Sequence, residues 1–201
     1  PFRCAFCADP FVYHRGWKGI SALRLGEQIE RLWRRYRFTD LNFQDETFFT
    51  YRKRVMEMAT QFLERGLAFS WAATLRADQA VRLGEEALEL CVKSGLRRVL
   101  IGVESGSPAT LLRIHKDTTV EQVLVAADLC RRYGLAVIFS FIVGFPGESQ
   151  SAMRETLDLV KRLRAMSPRF ETPIFYYKPY PGSRLAEAIA AAVPKTLEEW
   201  S

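Results

Sequence analysis

The 201-residue sequence predicts an α/β protein built as a partial (β/α)6 barrel of the TIM type, and three observations carry that expectation. Short segments rich in β-branched and aromatic residues alternate with segments of helical period from end to end. The strand-like segments, at 40–43, 68–74, 98–103, 135–143 and 172–177, recur roughly every 30 residues, the length of one βα unit. Such alternation gives parallel strands with crossover helices. No GxGxxG turn opens a helix after any of these strands, which favours a barrel over a doubly wound dinucleotide-binding sheet.

The helices between the strands are read from their apolar stripes. Leu25, Ile29, Leu32, Trp33 and Tyr36 mark the first, and Val55, Met58, Ala59 and Phe62 the second. Ala87, Leu88, Cys91 and Val92 mark a third, which Gly95 is expected to stop. Val120, Val123, Leu124, Ala127 and Cys130 mark a fourth, stopped by Gly134. Met153, Leu157, Val160 and Leu163 mark a fifth, and Leu185, Ala188, Ile189 and Ala192 a sixth. Ser107 is placed to cap a short helix starting at Pro108.

The chain opens in a loop, where a nearly closed sheet has a strand. The barrel's first strand is therefore expected before Pro1. Residues 1–190 are read as the core and 191–201 as the start of a C-terminal extension.

Composition narrows the class. Apolar residues make up 48% and charged residues 26%, the balance of a folded globular chain and not of a disordered one. The longest apolar run, 135–144, is interrupted by Ser140 and falls short of the ~20 residues of a membrane span. The net charge of +6 permits an anionic partner without requiring one, because the basic residues are spread over many segments. The run Arg31-Leu32-Trp33-Arg34-Arg35-Tyr36-Arg37 reads as a solvated helix face, and nucleic acid is not an expected partner.

In a parallel β/α fold, chemistry gathers at the carboxyl ends of the strands. Those ends read Gln44-Asp45-Glu46, Arg76, Glu104-Ser105, Gly144 through Glu148, and Lys178. Five successive strands thus set polar residues or glycines on one rim. The four cysteines divide in two. Cys91 and Cys130 sit in helical stripes as buried hydrophobes, whereas Cys4 and Cys7 form a CxxC in the opening loop. Sparse cysteines point to a reducing cytoplasm. A zinc site would need His14 and His115, far apart in sequence, and a thioredoxin-like pair would follow a strand.

With its surroundings, the pair resembles the loop of radical SAM enzymes, CxxxCxxC with an aromatic before the last cysteine, here Phe6. Three residues precede Cys4, so the first cysteine of that motif is expected immediately before Pro1. The resemblance continues through Phe43–Phe48 after one strand, Trp71–Asp78 ending in Arg-x-Asp, and Gly102–Ser107 with Lys116. It then takes in 141–149 and the turn Pro179-Tyr180-Pro181-Gly182-Ser183. It implies that Cys4 and Cys7, with the missing cysteine, hold three irons of a 4Fe-4S cluster whose fourth iron chelates S-adenosylmethionine. It further implies that Gln44, Asp45 and Glu46 receive the cofactor's amino group, and that Glu104 takes its ribose hydroxyls beside Ser105. Arg76 or Lys116 would face its carboxylate. Phe6, Ile142, Val143, Gly144 and Tyr177 would frame its adenine. Plainer roles compete for several of these: Asp45-Glu46 capping the second helix, Glu104 paired with Arg97 or Arg98, and Lys116 as solvated surface.

Within the superfamily the wording resembles the branch with an upstream cobalamin-binding domain. The implied function is reductive cleavage of S-adenosylmethionine to a 5′-deoxyadenosyl radical that abstracts a substrate hydrogen. The implied outcome is cobalamin-dependent methyl transfer, or a related rearrangement or cyclisation, with flavodoxin or ferredoxin as electron donor. A tRNA or protein methylthiotransferase and a non-catalytic barrel scaffold are the alternatives.

Overall fold

The computed structural model describes residues 2–12, 14, 16–189 and 196. One parallel sheet runs through it, formed by β1 (Asp40–Asn42), β2 (Ser70–Thr74), β3 (Leu96–Glu104), β4 (Ala136–Val143), β5 (Phe170–Glu171) and β6 (Ile174–Tyr176). The order is β1-β2-β3-β4, and both β5 and β6 pair with the far edge of β4. The expected last strand, 172–177, is shortened to β6, and a separate two-residue β5 precedes it outside the expected bounds. Pro173 has no N–H to donate to a ladder, and only its carbonyl is used, accepting from the Phe141 N–H at 3.0 Å.

The helices are α1 (Asp9–Val12), α2 (Ala22–Tyr36), α3 (Arg52–Glu64), α4 (Ala77–Lys93), α5 (Pro108–Arg113), α6 (Val120–Arg132), α7 (Gln150–Met166) and α8 (Arg184–Ala188). Five of the six expected apolar stripes fall on them; of the sixth, Leu185 and Ala188 lie on α8, Ile189 is just past its end, and Ala192 and the boundary near 190 lie outside the described residues. Local chemistry sets several starts. Ser21, Thr119 and Ser149 accept from the N–H groups of Arg24, Gln122 and Ala152, and Gln122 returns the bond to the Thr119 N–H. Ser107 does precede α5, but its side chain makes no capping bond.

The sheet has a packed face and an open face. Trp71, Ala73, Val99, Ile101, Val103, Val137, Phe139 and Phe141 alternate along the strands and are buried under the helices. Each large side chain fully buried there contributes about 1.5–3 kcal/mol. The helices cover that face in chain order, α2 on α3, α3 on α4, α4 on α6 and α6 on α7. A doubly wound sheet carries helices on both faces. Here the residues in the opposite phase, Thr74, Leu100, Gly102 and Ser140, face a cavity instead. The architecture is the expected partial barrel wall. No helix among the described residues is long and apolar enough to cross a membrane.

Candidate active site

A cavity of about 780 Å³ occupies the concave side of the sheet at its carboxyl end. Cys4, Phe6, Cys7, Gln44, Asp45, Glu46, Arg76, Glu104 and Lys116 all line it, so five separate segments of the chain converge on one space.

Aromatic packing positions the acidic segment. Phe43 and Phe48 stack 4.5 Å apart, and each lies 5.8 Å from Trp71. Both ends of the Gln44–Thr47 loop are thereby pinned to the core, and the side chains between them stand out into the cavity. A 3-10 turn, Phe48–Thr50, separates the loop from α3, whose cap is Tyr51. Asp45 and Glu46 are thus not helix caps. Glu46 faces Asp9, and burial first, then the Asp9 carboxylate, push its carboxyl above the usual range. Asp45 faces Arg54, which lies over the rings of Trp17 and Phe48.

The end of β3 is built around an ion pair. Lys116 Nζ donates to Glu104 Oε1 at 2.6 Å, with side chains only 7% and 8% exposed. Lys116 is therefore not solvated surface, and Glu104 pairs with neither Arg97 nor Arg98. The register slips between Gly102 and Glu104, and Glu104 sits at φ 69°, a left-handed conformation costly for a non-glycine residue. A Cβ at Gly102 would collide with Glu104 Oε1 and lie 3.1 Å from Lys116 Nζ, so the pair occupies the space the glycine vacates. Ser105 turns the other way. It is fully buried, its Oγ 3.0 Å from Thr156 Oγ1 on α7 and accepting from the Ser107 N–H. Gly106 permits this close approach, since a Cβ there would meet the Glu155 carbonyl at 2.5 Å.

Cys4 and Cys7 lie on one turn, closed by a 3.3 Å bond from the Cys7 N–H to the Cys4 carbonyl. Ala5, between them, is tied by backbone bonds to Ile114 and Leu185. Each sulfur has a donor: the Asp9 N–H reaches Cys7 Sγ at 3.4 Å, and Arg76 Nη1 reaches Cys4 Sγ at 3.9 Å. Burial pushes the Cys7 thiol up to about 11. Cys91 and Cys130 are buried in α4 and α6, with thiols pushed up to about 12 by burial alone. Among the described residues no three His, Cys, Asp or Glu side chains gather as a metal group.

The expected adenine frame lies beside the cavity, not on its lining. Ile142 and Tyr177 pack with Phe145 in a second apolar cluster, and Phe6 bridges to it, 5.8 Å from Phe145 and itself on the cavity wall. The Val143 carbonyl accepts from the Tyr177 N–H at 2.9 Å, and the Gly144 N–H donates to Glu148 Oε2 at 2.7 Å. Both backbone groups are already paired. Gly144 and Lys178 are exposed and outside the cavity lining.

Several lining residues escaped the sequence reading. Thr74, Leu100, Gly102 and Ser140 carried a usable signal, the strand phase opposite to the buried residues. Phe2, Asp9, Gly16, Trp17 and Lys18, from the loop around α1, carried none.

A parallel β/α wall with a paired-cysteine turn, carboxylates and buried cations gathered at its carboxyl end has the layout of a β/α-barrel active site. The sequence profile of the radical SAM superfamily matches residues 1–160, and the chain belongs to that superfamily. It is 31% identical over 187 residues to an uncharacterized methyltransferase of Pyrococcus horikoshii, covering 93% of this chain and 39% of that protein. It is 28% identical over 193 residues to the anaerobic magnesium-protoporphyrin IX monomethyl ester cyclase of Rubrivivax gelatinosus, covering 96% and 34%. Among solved structures, the cobalamin-dependent S-adenosylmethionine radical enzyme OxsB in its apo form matches with a TM-score of 0.67 at 27% identity, over 78% of this chain and 24% of that one. The chain thus spans between a third and two fifths of the length of these curated relatives.

Proposed function

We propose that this chain is the catalytic core of a radical SAM enzyme working with cobalamin, for methyl transfer or a related cyclisation or rearrangement. The observation that carries the reading is the convergence of Cys4 and Cys7 with Glu46, Arg76, Glu104 and Lys116 on one cavity. The relatives, a methyltransferase, a cyclase and a cobalamin-dependent radical enzyme, fit the same chemistry.

The donor set suits the cluster the family implies. Two cysteines share a turn, and each sulfur meets an N–H donor, as a thiolate ligand needs. These residues supply two of the three thiolates such a cluster takes. When bound, the cluster supplies the electron that opens the sulfur–carbon bond of S-adenosylmethionine.

The chain's own residues bind and orient. Asp9, Asp45 and Glu46 form an anionic corner for the cofactor's ammonium, with Gln44 beside them. Lys116 and Arg76 supply the cations for its carboxylate. Glu104 keeps Oε2 for the ribose hydroxyls while Lys116 holds Oε1. Phe6, backed by Phe145, Ile142 and Tyr177, gives the adenine an apolar wall that excludes water. Ser105 anchors the Glu104 turn to α7. Free thiols at the site fit a reducing, cytoplasmic compartment with flavodoxin or ferredoxin as donor, and a cobalamin-binding domain as neighbour.

Anaerobic iron and sulfide analysis with assay of 5′-deoxyadenosine under dithionite tests the reading. Cys7→Ala is expected to lose iron and reductive cleavage together. Glu104→Ala is expected to keep its iron and bind the cofactor roughly tenfold to a few hundredfold more weakly, since hydrogen bonds to a charged group contribute about 1.5–3 kcal/mol. Reductive cleavage that survives in the Cys7 variant removes Cys7 from the cluster, whereas a wild type without iron or cleavage returns the chain to the scaffold reading.

A further inference from the structure

Arg76 has more partners than a cation waiting for a cofactor carboxylate needs. It is the residue that caps α4, so its backbone is fixed where the sheet meets the cavity. From there the side chain runs beneath the cysteine turn. Nε donates to Asp78 Oδ1 at 2.9 Å, and Nη2 donates to the Lys116 carbonyl at 2.8 Å. The guanidinium lies 3.8 Å from the centroid of the Phe2 ring. These contacts leave Nη1 directed at Cys4 Sγ, 3.9 Å away, and the side chain is 7% exposed.

The charge is balanced only in part by Asp78. Asp78 also accepts from Arg82 at 2.7 Å, so two guanidiniums share one carboxylate. The next carboxylate within electrostatic reach, Asp117, is bound by Arg3. A buried guanidinium whose carboxylate partner is shared therefore bears on one sulfur of the cysteine turn. The other sulfur, Cys7 Sγ, accepts from the Asp9 N–H and lies beside the Asp9 side chain, an acid where Cys4 has a guanidinium.

We propose that Arg76 is a positioning residue for the cluster itself, holding the Cys4 thiolate and favouring the reduced cluster before any cofactor binds. This rests on the reading that Cys4 is a cluster ligand. One electron from a low-potential one-electron donor takes the cluster from its 2+ to its 1+ state, with no proton moved and no bond broken. The added negative charge spreads onto the thiolate sulfurs. A desolvated guanidinium on one of them stabilises the reduced state more than the oxidised one. The role differs from capture of the cofactor carboxylate, because it operates with the cofactor absent.

The test is a dithionite titration, followed by electron paramagnetic resonance, of the natural full-length protein with its cluster reconstituted and no S-adenosylmethionine added. Wild type, Arg76→Gln and Arg76→Lys are compared. At a fixed potential, Arg76→Gln is expected to lower the reduced-to-oxidised ratio about tenfold, which is 59 mV for a one-electron couple. Arg76→Lys keeps the charge and loses the fork, and falls between. A glutamine variant that titrates with wild type overturns the proposal while the cluster reading stands. If the glutamine variant holds no iron, the lysine variant decides: a ratio below wild type supports the proposal and an equal ratio overturns it. Loss of iron from both, with apo-proteins that unfold at the wild-type temperature, also overturns it, because Arg76 then serves assembly alone. A wild type that binds no iron defeats the cluster reading instead.

Discussion

The two ends of the sheet treat charge in opposite ways. At the carboxyl end Arg76, Glu104 and Lys116 are each 6% exposed, and apart from Asp78 beside Arg76 their partners come from other segments of the chain. Arg76 reaches back 72 residues to Cys4 and forward 40 to Lys116. At the amino end the cations are exposed and most of their pairs lie within one helix, although Arg132 also reaches Glu85 on α4. Lys93 pairs with Glu89 in the last turns of α4, and Arg131 and Arg132 pair with Asp128 in those of α6. The second pattern follows from helix termini, whose carbonyl ends attract cations. The first has no such ordinary cause. Removing charges from water costs several kcal/mol per ion, and an apolar pair of equal volume is often as stable. Buried ion pairs gathered at one end of a sheet therefore mark where the fold serves chemistry and not its own stability.

The sharpest way to break this contrast is Lys116→Met. The substitution keeps the length of the side chain and leaves the Glu104 carboxylate buried without its partner. It is expected to destabilise the protein by about 3–5 kcal/mol in urea denaturation. The double variant Lys116→Met with Glu104→Leu is expected to recover most of that loss while binding of S-adenosylmethionine, followed by calorimetry, is weakened. A double variant no more stable than the single one would mean that the pair is structural.

Gly102→Ala sharpens the contrast from the backbone side. One methyl group must displace either Glu104 Oε1 or Lys116 Nζ. Overpacking of this kind costs about 1–3 kcal/mol, so the expected loss is smaller than for Lys116→Met. Cofactor affinity should fall with it, because the carboxylate is pushed from its place. Full affinity in a destabilised Gly102→Ala protein would separate Glu104 from the ribose.

How much of this was legible follows the same division. The strands and five of the six helical stripes could be read because each is a local pattern whose period burial enforces. The shortening of the last strand turned on Pro173, and α1 is a single turn too short to show a period. At the site, chain order located Asp45, Arg76 and Glu104 at strand ends, and the superfamily resemblance named their chemistry. Which way a side chain turns was not legible. Ser105 follows Glu104 directly, yet the bulge and the close contact at Gly106 send one into the cavity and the other into α7. The Lys116 pairing depends on the α5 segment folding back across 12 residues, and the Arg76 contact on segments 72 residues apart. Such contacts leave no periodic trace.

The smallest expected effect lies at the amino end. Lys93→Ala removes an ion pair of good geometry, 2.7 Å to Glu89 with the acid one turn before the base. By distance alone it resembles the Lys116 pair at 2.6 Å. Exposure separates them: the Lys93 and Glu89 side chains are 63% and 50% exposed, so water screens the attraction and both side chains lose freedom in holding it. An exposed i,i+4 pair contributes about 0.3–0.5 kcal/mol, and the charge of Lys93 near the end of α4 adds about as much at low salt. Denaturation of Lys93→Ala should therefore show a loss below about 1 kcal/mol. In 1 M salt, where the screening length is about 3 Å, most of that loss should vanish. The Lys116→Met loss should persist in the same salt, because little solvent reaches that pair. Should the two variants lose stability equally, or both lose their effect in salt, burial would not be what distinguishes the two ends, and the carboxyl-end charges would lose their standing as markers of the site.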